Sequence, residues 1–200
     1  MNSSAVTASP TASPASCFAG TETVFLESGD LVAIADIQVG DRVLASNEAM
    51  KFRFANVVSV PYKRNNVPAE FLVISTVKGK ELKLTAEHLL PAGACGGTKT
   101  LMMAGEIKKG DCVVTIDSKE EVVEAIGSHK GRGIYTIITD EDFIIVGGIV
   151  ASPFAINHHA ANSFYAIHRL LGATWPWLLH ADVLQSINTL FAIFVSDTVI

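Results

Sequence analysis

Hydrophobic positions are arranged in three ways along this chain. From residue 17 to about 152 they form short, β-branched runs: Thr23–Leu26, Asp41–Ala45, Phe71–Val77, Glu81–Thr85, Asp111–Ile116, Tyr135–Thr139 and Phe143–Val146. Turn-forming residues separate them, which is the pattern of many short strands. Lys78-Gly79 divides two of the runs and predicts a tight hairpin, and Thr139-Asp140-Glu141-Asp142 divides another two. From Asn157 onward the spacing changes. Phe164, Ile167, Leu170 and Leu171, then Leu184, Ile187, Leu190, Phe191 and Phe194, recur at helical intervals. Gly172 and Pro176 break this tail into two predicted helices. Residues 1–16 have no pattern; they are almost entirely Ser, Ala, Thr and Pro and predict a flexible linker.

The strand-rich part also contains a weak repeat. Asp36-Ile37-Gln38-Val39-Gly40-Asp41-Arg42-Val43 resembles Glu106-Ile107-Lys108-Lys109-Gly110-Asp111-Cys112-Val113. Two similar halves would make a pseudo-symmetric all-β fold. A Gly-Asp turn ahead of a strand is common in any β-protein, so the short match alone leaves both readings open. The expected organisation is a linker over 1–16, an all-β domain over 17–155 and a short helical appendage over 156–200.

Composition narrows the partners. The chain is 49% hydrophobic and 18% charged, which suits a globular core. The net charge is −5 and the basic residues are scattered, which argues against nucleic acid. Residues 1–16 lack the basic start and apolar run of a signal peptide. No stretch reaches the ~18 apolar residues of a membrane-spanning helix. Cys17, Cys95 and Cys112 are odd in number and lack C-x-x-C spacing, which argues against a disulfide framework or a zinc site. One pair or three free thiols remain open. Cys112 alternates with apolar neighbours and reads as a buried thiol; Cys95 lies in a Gly-rich loop and reads as exposed. No metal or organic cofactor is called for.

Three blocks carry candidate chemistry. The first is Cys17-Phe18-Ala19-Gly20-Thr21-Glu22-Thr23-Val24, followed by Ile37–Leu44 with its Gly-Asp-Arg-Val-Leu element. The second is Leu84-Thr85-Ala86-Glu87-His88-Leu89-Leu90, and the third is Gly148-Ile149-Val150-Ala151-Ser152-Pro153-Phe154-Ala155. In this order the blocks resemble the Hint (Hedgehog/intein) superfamily, and within it the Hedgehog autoprocessing branch more than inteins. The resemblance covers residues 17–155. It implies the pseudo-symmetric Hint β-fold and a domain that cleaves itself once, at Ser16–Cys17, from a cargo segment in cis.

The residue roles implied by the resemblance agree with the chemistry available. Cys17 would attack the carbonyl of Ser16, since a thiol is intrinsically nucleophilic and here is tethered to its target. An amide is resonance-stabilised, so its nitrogen must be protonated and its plane disturbed. His88 would supply the proton, and the Thr85 hydroxyl would hydrogen-bond at the scissile peptide. The remaining histidines, His129, His158, His159, His168 and His180, read as structural.

The fate of the resulting thioester is open. Hedgehog relatives pass it to a sterol hydroxyl, and the tail after Asn157 is similar in position and character to their lipid-recognition region. The same periodicity suits helices packed on the core. The family's sterol-activating aspartate falls, in ungapped register from Cys17, on Tyr62, with Pro61, Lys63 and Arg64 around it. A second cysteine of the closing block falls on Pro153. The acceptor is therefore a sterol-like or other lipid hydroxyl, or water. Splicing of the intein kind is disfavoured, because the fold closes on Val150-Ala151-Ser152-Pro153 without a terminal His-Asn. A trans-acting protease lacks a partner for the histidine. A silent module binding a partner or membrane surface through the apolar tail is the alternative. The resemblance also implies maturation in the secretory pathway.

Overall fold

A computed structural model describes residues 16–117 and 119–154. The predicted helices and the lipid-recognition-like region over 156–200, and residues 1–15 of the predicted linker, lie outside these residues. Ser16 was expected to close the linker. Instead it is buried and belongs to the folded domain.

The described chain is all-β. Its strands are β1 (Phe18–Ala19), β2 (Thr23–Phe25), β3 (Leu31–Ala33), β4 (Arg42–Ser46), β5 (Phe52–Thr76), β6 (Glu81–Leu84), β7 (Leu89–Gly93), β8 (Thr100–Met103), β9 (Cys112–Val114), β10 (Glu120–Thr139), β11 (Phe143–Val146) and β12 (Ile149–Ala151). Ten of them form one sheet in the order β12-β11-β4-β5-β6-β1-β10-β9-β7-β8, and β2 and β3 form a ribbon. The seven predicted runs all fall on strands. Gly79 N–H closes the predicted hairpin on Thr76 O at 2.9 Å.

Two strands are far longer than the sequence pattern suggests, because their polar halves carry no apolar alternation. β5 has 25 residues and β10 has 20, and they pair with one another through most of their length. Drawn straight, β5 would reach about 80 Å, whereas a domain of this size has a radius of gyration of about 14 Å. The strands must bend, and the β5–β10 register shifts at four places, between Val123 and Ala125, Arg132 and Ile134, Thr136 and Ile138, and Ile138 and Thr139. Irregularities of this kind bend and twist a ladder. Each long strand therefore serves several neighbours: β5 pairs with β4 near its start and β6 near its end, and β10 pairs with β9 and β1.

The repeat is structural. Ile34–Asp36 and Ala104–Glu106 each form a 3-10 turn. In the first copy the Asp41 carboxylate accepts the Gln38 N–H at 2.8 Å; in the second Asp111 accepts the Lys108 N–H at 2.8 Å. Gly40 and Gly110 sit at φ 97° and 95°, in the left-handed region that glycine enters freely. Their N–H groups bond Val57 O and Val123 O, both at 2.9 Å. The frame around each turn repeats too. Ile34 N–H bonds Glu22 O and Ala104 N–H bonds His88 O, both at 2.7 Å. Gly147 N–H reaches Thr23 O at 2.9 Å, and Ser152 N–H reaches Leu89 O at 3.0 Å. By this correspondence Glu22 occupies in one half the place of His88 in the other.

The main core draws on residues from both repeats and includes Phe18, Val24, Ile74, Leu84, Ile137 and Ile149. A smaller cluster joins Cys17, Ala19, Phe71 and Ile134. The sequence context of Cys112 suggests a buried thiol; instead Cys112 is joined to Cys95 by a disulfide, with a Cα–Cα distance of 5.0 Å. Neither cysteine's local context marks the other as its partner. Pairing of β7 with β9 sets Gly93 opposite Cys112, and the loop that follows Gly93 carries Cys95 onto it. Cys17 is the free cysteine.

The bridge spans a separation of 17 residues. Cross-linking such a loop is worth about 3 kcal/mol through the unfolded chain. Denatured without reductant, the protein should show one titratable thiol, and Cys95→Ser should show two and lose roughly that stability in urea unfolding. Three thiols in the wild type would remove the disulfide from the fold.

Candidate functional site

Strand β1 is only two residues long and is threaded between β6 and β10, with Phe18 opposite both Leu84 and Tyr135. This threading determines what surrounds the preceding peptide. Thr85 follows the end of β6, and Thr136 lies next to Tyr135 on β10. The Ser16–Cys17 peptide group is thus held from both sides.

On the nitrogen side, Cys17 N–H donates to Thr85 Oγ1 at 3.1 Å, and Thr85 N–H donates back to Cys17 O at 2.9 Å. On the carbonyl side, Thr136 Oγ1 donates to Ser16 O at 2.5 Å. Thr136 Oγ1 is also 3.6 Å from Cys17 Sγ. Ser16, Cys17, Thr85, His88 and Thr136 are all buried. The structure therefore brings together Ser16, Cys17, Thr85 and His88, named from the sequence, with Thr136 as an addition. Thr136 stood in the sequence as a polar residue inside an apolar run, a signal too common to single out.

His88 is fixed by its turn. His88 N–H bonds Thr85 O at 3.1 Å, closing a tight loop that sets the two side chains on the same peptide. The ring packs on Phe18, with centroids 4.1 Å apart. Nε2 lies 2.6 Å from Ser152 O, in the closing block. A carbonyl only accepts, so the ring proton is on Nε2 and Nδ1 carries the lone pair. Nδ1 is 3.0 Å from Ser16 Oγ, which donates to it. His88 thus meets the Ser16–Cys17 segment through the Ser16 side chain as well as the Cys17 backbone. Burial lowers its pKa to about 4, against the opposing effect of its bonds to Ser152 and the Cys17 backbone. The ring is neutral at physiological pH.

Burial also dominates at Cys17. It pushes the thiol up to about 11, and the hydrogen bonds with Thr136 and the Ser16 backbone and the charge of Arg64 only partly offset this. Thiolate is consequently scarce at neutral pH. The charged residue acting on the sulfur is basic.

Tyr62 stands directly opposite Thr136 in the β5–β10 ladder and packs, partly buried, against the Cys17 cluster with Val67 and Ala69. The Arg64 guanidinium lies 5.8 Å from the centre of the Tyr62 ring. The face beside Cys17 is therefore aromatic and apolar, with a cation at its side. Among the described residues, one group has the donors for a metal: Cys95, Cys112 and Glu120. Two of these are joined in the disulfide, and none belongs to the Ser16–Cys17 site.

Comparison with known proteins supplies the context for this site. A family model described as "Hint module" matches residues 3–190. "Tiggy-winkle hedgehog protein" of Danio rerio is 32% identical over 175 residues, 82% of this chain and 42% of that protein. "Warthog protein 6" of Caenorhabditis elegans is 35% identical over 142 residues, 68% of this chain and 24% of that protein. "Protein qua-1" of the same organism is 28% identical over 213 residues, 92% of this chain and 18% of that protein. The chain thus spans less than half the length of these relatives. Two solved intein structures share its fold. The gp41-1 intein has a TM-score of 0.56 at 23% identity, covering 68% of this chain and 98% of its own. A DnaB intein from Synechocystis has a TM-score of 0.58 at 17% identity, covering 68% and 97%.

The depressed His88 pKa has a consequence for stability. In the folded protein the ring stays neutral down to about pH 4, while the unfolded ring takes up a proton from about pH 6.5. The unfolded state binds more protons in that window, so stability falls as pH drops through it, by up to about 3 kcal/mol from this group. In a Cys17→Ala background, which keeps the chain intact, urea unfolding should show a shallower loss between these pH values when His88 is replaced by Gln. Identical pH dependence in the two proteins would contradict a buried, neutral His88.

Proposed function

Because this chain belongs to the Hint module family, a family of self-processing domains, we propose that it cleaves its own backbone between Ser16 and Cys17 through an internal thioester. The observation that carries the reading is the clamped peptide. Its nitrogen is bonded to Thr85, its carbonyl to Thr136, and the sulfur of the next residue is buried beside it.

The steps follow from that arrangement. Cys17 Sγ attacks the Ser16 carbonyl carbon and closes a thiazolidine ring, so both reactants come from one covalent frame. Thr85 holds the nitrogen out of conjugation with the carbonyl as its plane distorts. The nitrogen needs a proton when the C–N bond breaks. His88, neutral and with the Nδ1 lone pair facing Ser16, takes a proton from the tetrahedral intermediate and delivers it to the nitrogen. The Ser16 carbonyl is then a thioester on Cys17, with a free amine at Cys17. The leaving segment is the chain upstream of Ser16, cargo in cis.

The thioester is resolved by a sterol-like or other lipid hydroxyl, or by water. Tyr62 and Arg64 flank the approach to Cys17, and Tyr62 is the position at which an acceptor would be activated. The region over 156–200 is assigned to acceptor recognition, and through it the chain would meet a lipid surface. The secretory pathway is the place of maturation that suits the chemistry, since a Cys95–Cys112 disulfide persists in an oxidising compartment.

Mass spectrometry of a precursor with a reporter peptide ahead of Ser16 tests the reading. Cleavage should release a fragment ending at Ser16, and Cys17→Ala should abolish it. Thr85→Ala and His88→Ala should each slow it by about 10²–10⁴. Sterol or other lipid added to the reaction should appear as mass on the released fragment. An unmodified fragment formed at the same rate with or without lipid would assign the last step to water. Cleavage surviving Cys17→Ala would overturn the mechanism.

A further inference from the structure

A thiol whose pKa stands near 11 does not deliver enough thiolate for an easy attack at neutral pH. His88 does not reach the sulfur: its Nδ1 is occupied by Ser16 Oγ and its Nε2 by Ser152 O. The charged group acting on Cys17 is Arg64, which cannot serve as a base. Something else must take the thiol proton.

Thr136 is the group in contact with both reacting atoms. Its Oγ1 is 2.5 Å from Ser16 O and 3.6 Å from Cys17 Sγ. A hydroxyl has one proton and two lone pairs. The carbonyl can only accept, so the Thr136 proton points to Ser16 O. With that proton directed to Ser16 O, a Thr136 lone pair faces the sulfur and can accept the Cys17 S–H; turned to the sulfur instead, the same hydroxyl donates to it and favours the thiolate. The three groups form a chain, S–H to Oγ–H to O=C, that ends on the two atoms changing charge in the attack.

We propose that Thr136 is a catalytic residue that relays the Cys17 thiol proton to the Ser16 carbonyl oxygen as the sulfur attacks. The inference rests on the acyl-shift reading above. The bonds balance. The Cys17 Sγ–C(Ser16) bond forms and the carbonyl π bond becomes a C–OH bond. The thiol proton moves to Thr136 Oγ1, and the former Thr136 proton moves to the carbonyl oxygen. The threonine ends as a neutral hydroxyl, and the product is a neutral hydroxythiazolidine. Neither a free thiolate nor an oxyanion has to exist inside the buried site, where an unpaired charge is costly. The hydroxyl proton of this intermediate is the one that His88 carries to the nitrogen in the next step. One proton thus passes from sulfur to nitrogen overall.

Burial makes the geometry of the relay specific. Thr136 lies in the β10 ladder opposite Tyr62 and beside the β1 pairing partner Tyr135, so its backbone is fixed on both edges. A β-branched side chain has few accessible χ1 states. The hydroxyl is therefore held at the two reacting atoms before the reaction begins.

The test uses the precursor with a reporter peptide ahead of Ser16 and an excess of hydroxylamine, at concentrations where the rate no longer depends on it and thioester formation is limiting. The wild type should release hydroxamate at a rate that changes little between about pH 6 and pH 9, because the relay consumes neutral thiol. Thr136→Val, which keeps the shape and removes the hydroxyl, should be about 100-fold slower at neutral pH. Its rate should rise about tenfold per pH unit, since it must wait for thiolate. Thr136→Ser should restore the flat profile. A Thr136→Val rate equal to the wild type, or a slower rate with the same flat profile, overturns the relay; the latter outcome would mean the hydroxyl only polarises the carbonyl. A proton inventory on the wild type needs no variant and guards against misfolding of Thr136→Val. Two protons in flight should give a bowed dependence on deuterium content, and absence of any solvent isotope effect overturns the relay. Failure of the wild-type precursor to yield hydroxamate overturns the acyl shift and the relay together, so the two ideas fail differently.

Discussion

The structure depends on the insertion of β1 between β6 and β10. Two residues of strand are enough to align one peptide group with the end of β6 on its nitrogen side and with Thr136 of β10 on its carbonyl side. The ladder places Thr136 directly and sets the turn after β6, which carries Thr85 and His88, against the Ser16–Cys17 bond. A strand ladder is positioned by repeated backbone hydrogen bonds, so it holds a side chain more firmly than a loop would. The same insertion buries Cys17, and this burial makes the thiol both protected and hard to ionise. The site therefore combines a dry, hard-to-ionise thiol with hydroxyl groups that can hydrogen-bond around it without carrying a formal charge.

Pseudo-symmetry sets two equivalent pockets that carry different side chains. The two 3-10 turns, the two Gly-Asp bends and the backbone bonds of Glu22 and His88 superpose as a pattern. The side chains differ where the frame is the same. His88 packs on Phe18 and reaches Ser152 O and Ser16 Oγ. Glu22 is also buried, which raises its pKa, and Lys83 opposes that shift with a contact at 3.3 Å. One half uses its pocket for an uncharged ring beside the Ser16–Cys17 peptide. The other fills it with an ion pair. A single backbone frame supports both because the neighbouring strands, not the turn, decide what each pocket faces.

Tyr62 shapes one side of the environment of Cys17. A carboxylate there would sit near a buried sulfur and would further discourage thiolate. Tyr62 instead packs on the Cys17 cluster, and Arg64 shifts the thiol in the opposite sense. The surroundings of Cys17 on this side are thus aromatic and apolar, with a basic group nearby.

The sequence by itself determined the fold class and named candidates that folding brings together at Ser16–Cys17. Alternating β-branched runs are a local property, so strands from Thr23 to Val146 and the Lys78-Gly79 hairpin were legible in it. The paired Gly-Asp segments were visible, because a positive-φ glycine and a capping aspartate are a local requirement. Cys17, Thr85 and His88 could be named as candidates because their spacing matches a motif. Only the tertiary structure decided the rest. The polar halves of β5 and β10 became strands because they pair with one another, a contact made between residues far apart in the chain. The Cys95–Cys112 bridge exists because β7 lies beside β9. Thr136 is 120 residues from the carbonyl it touches, and no local pattern marks a residue whose importance comes entirely from what folding places beside it.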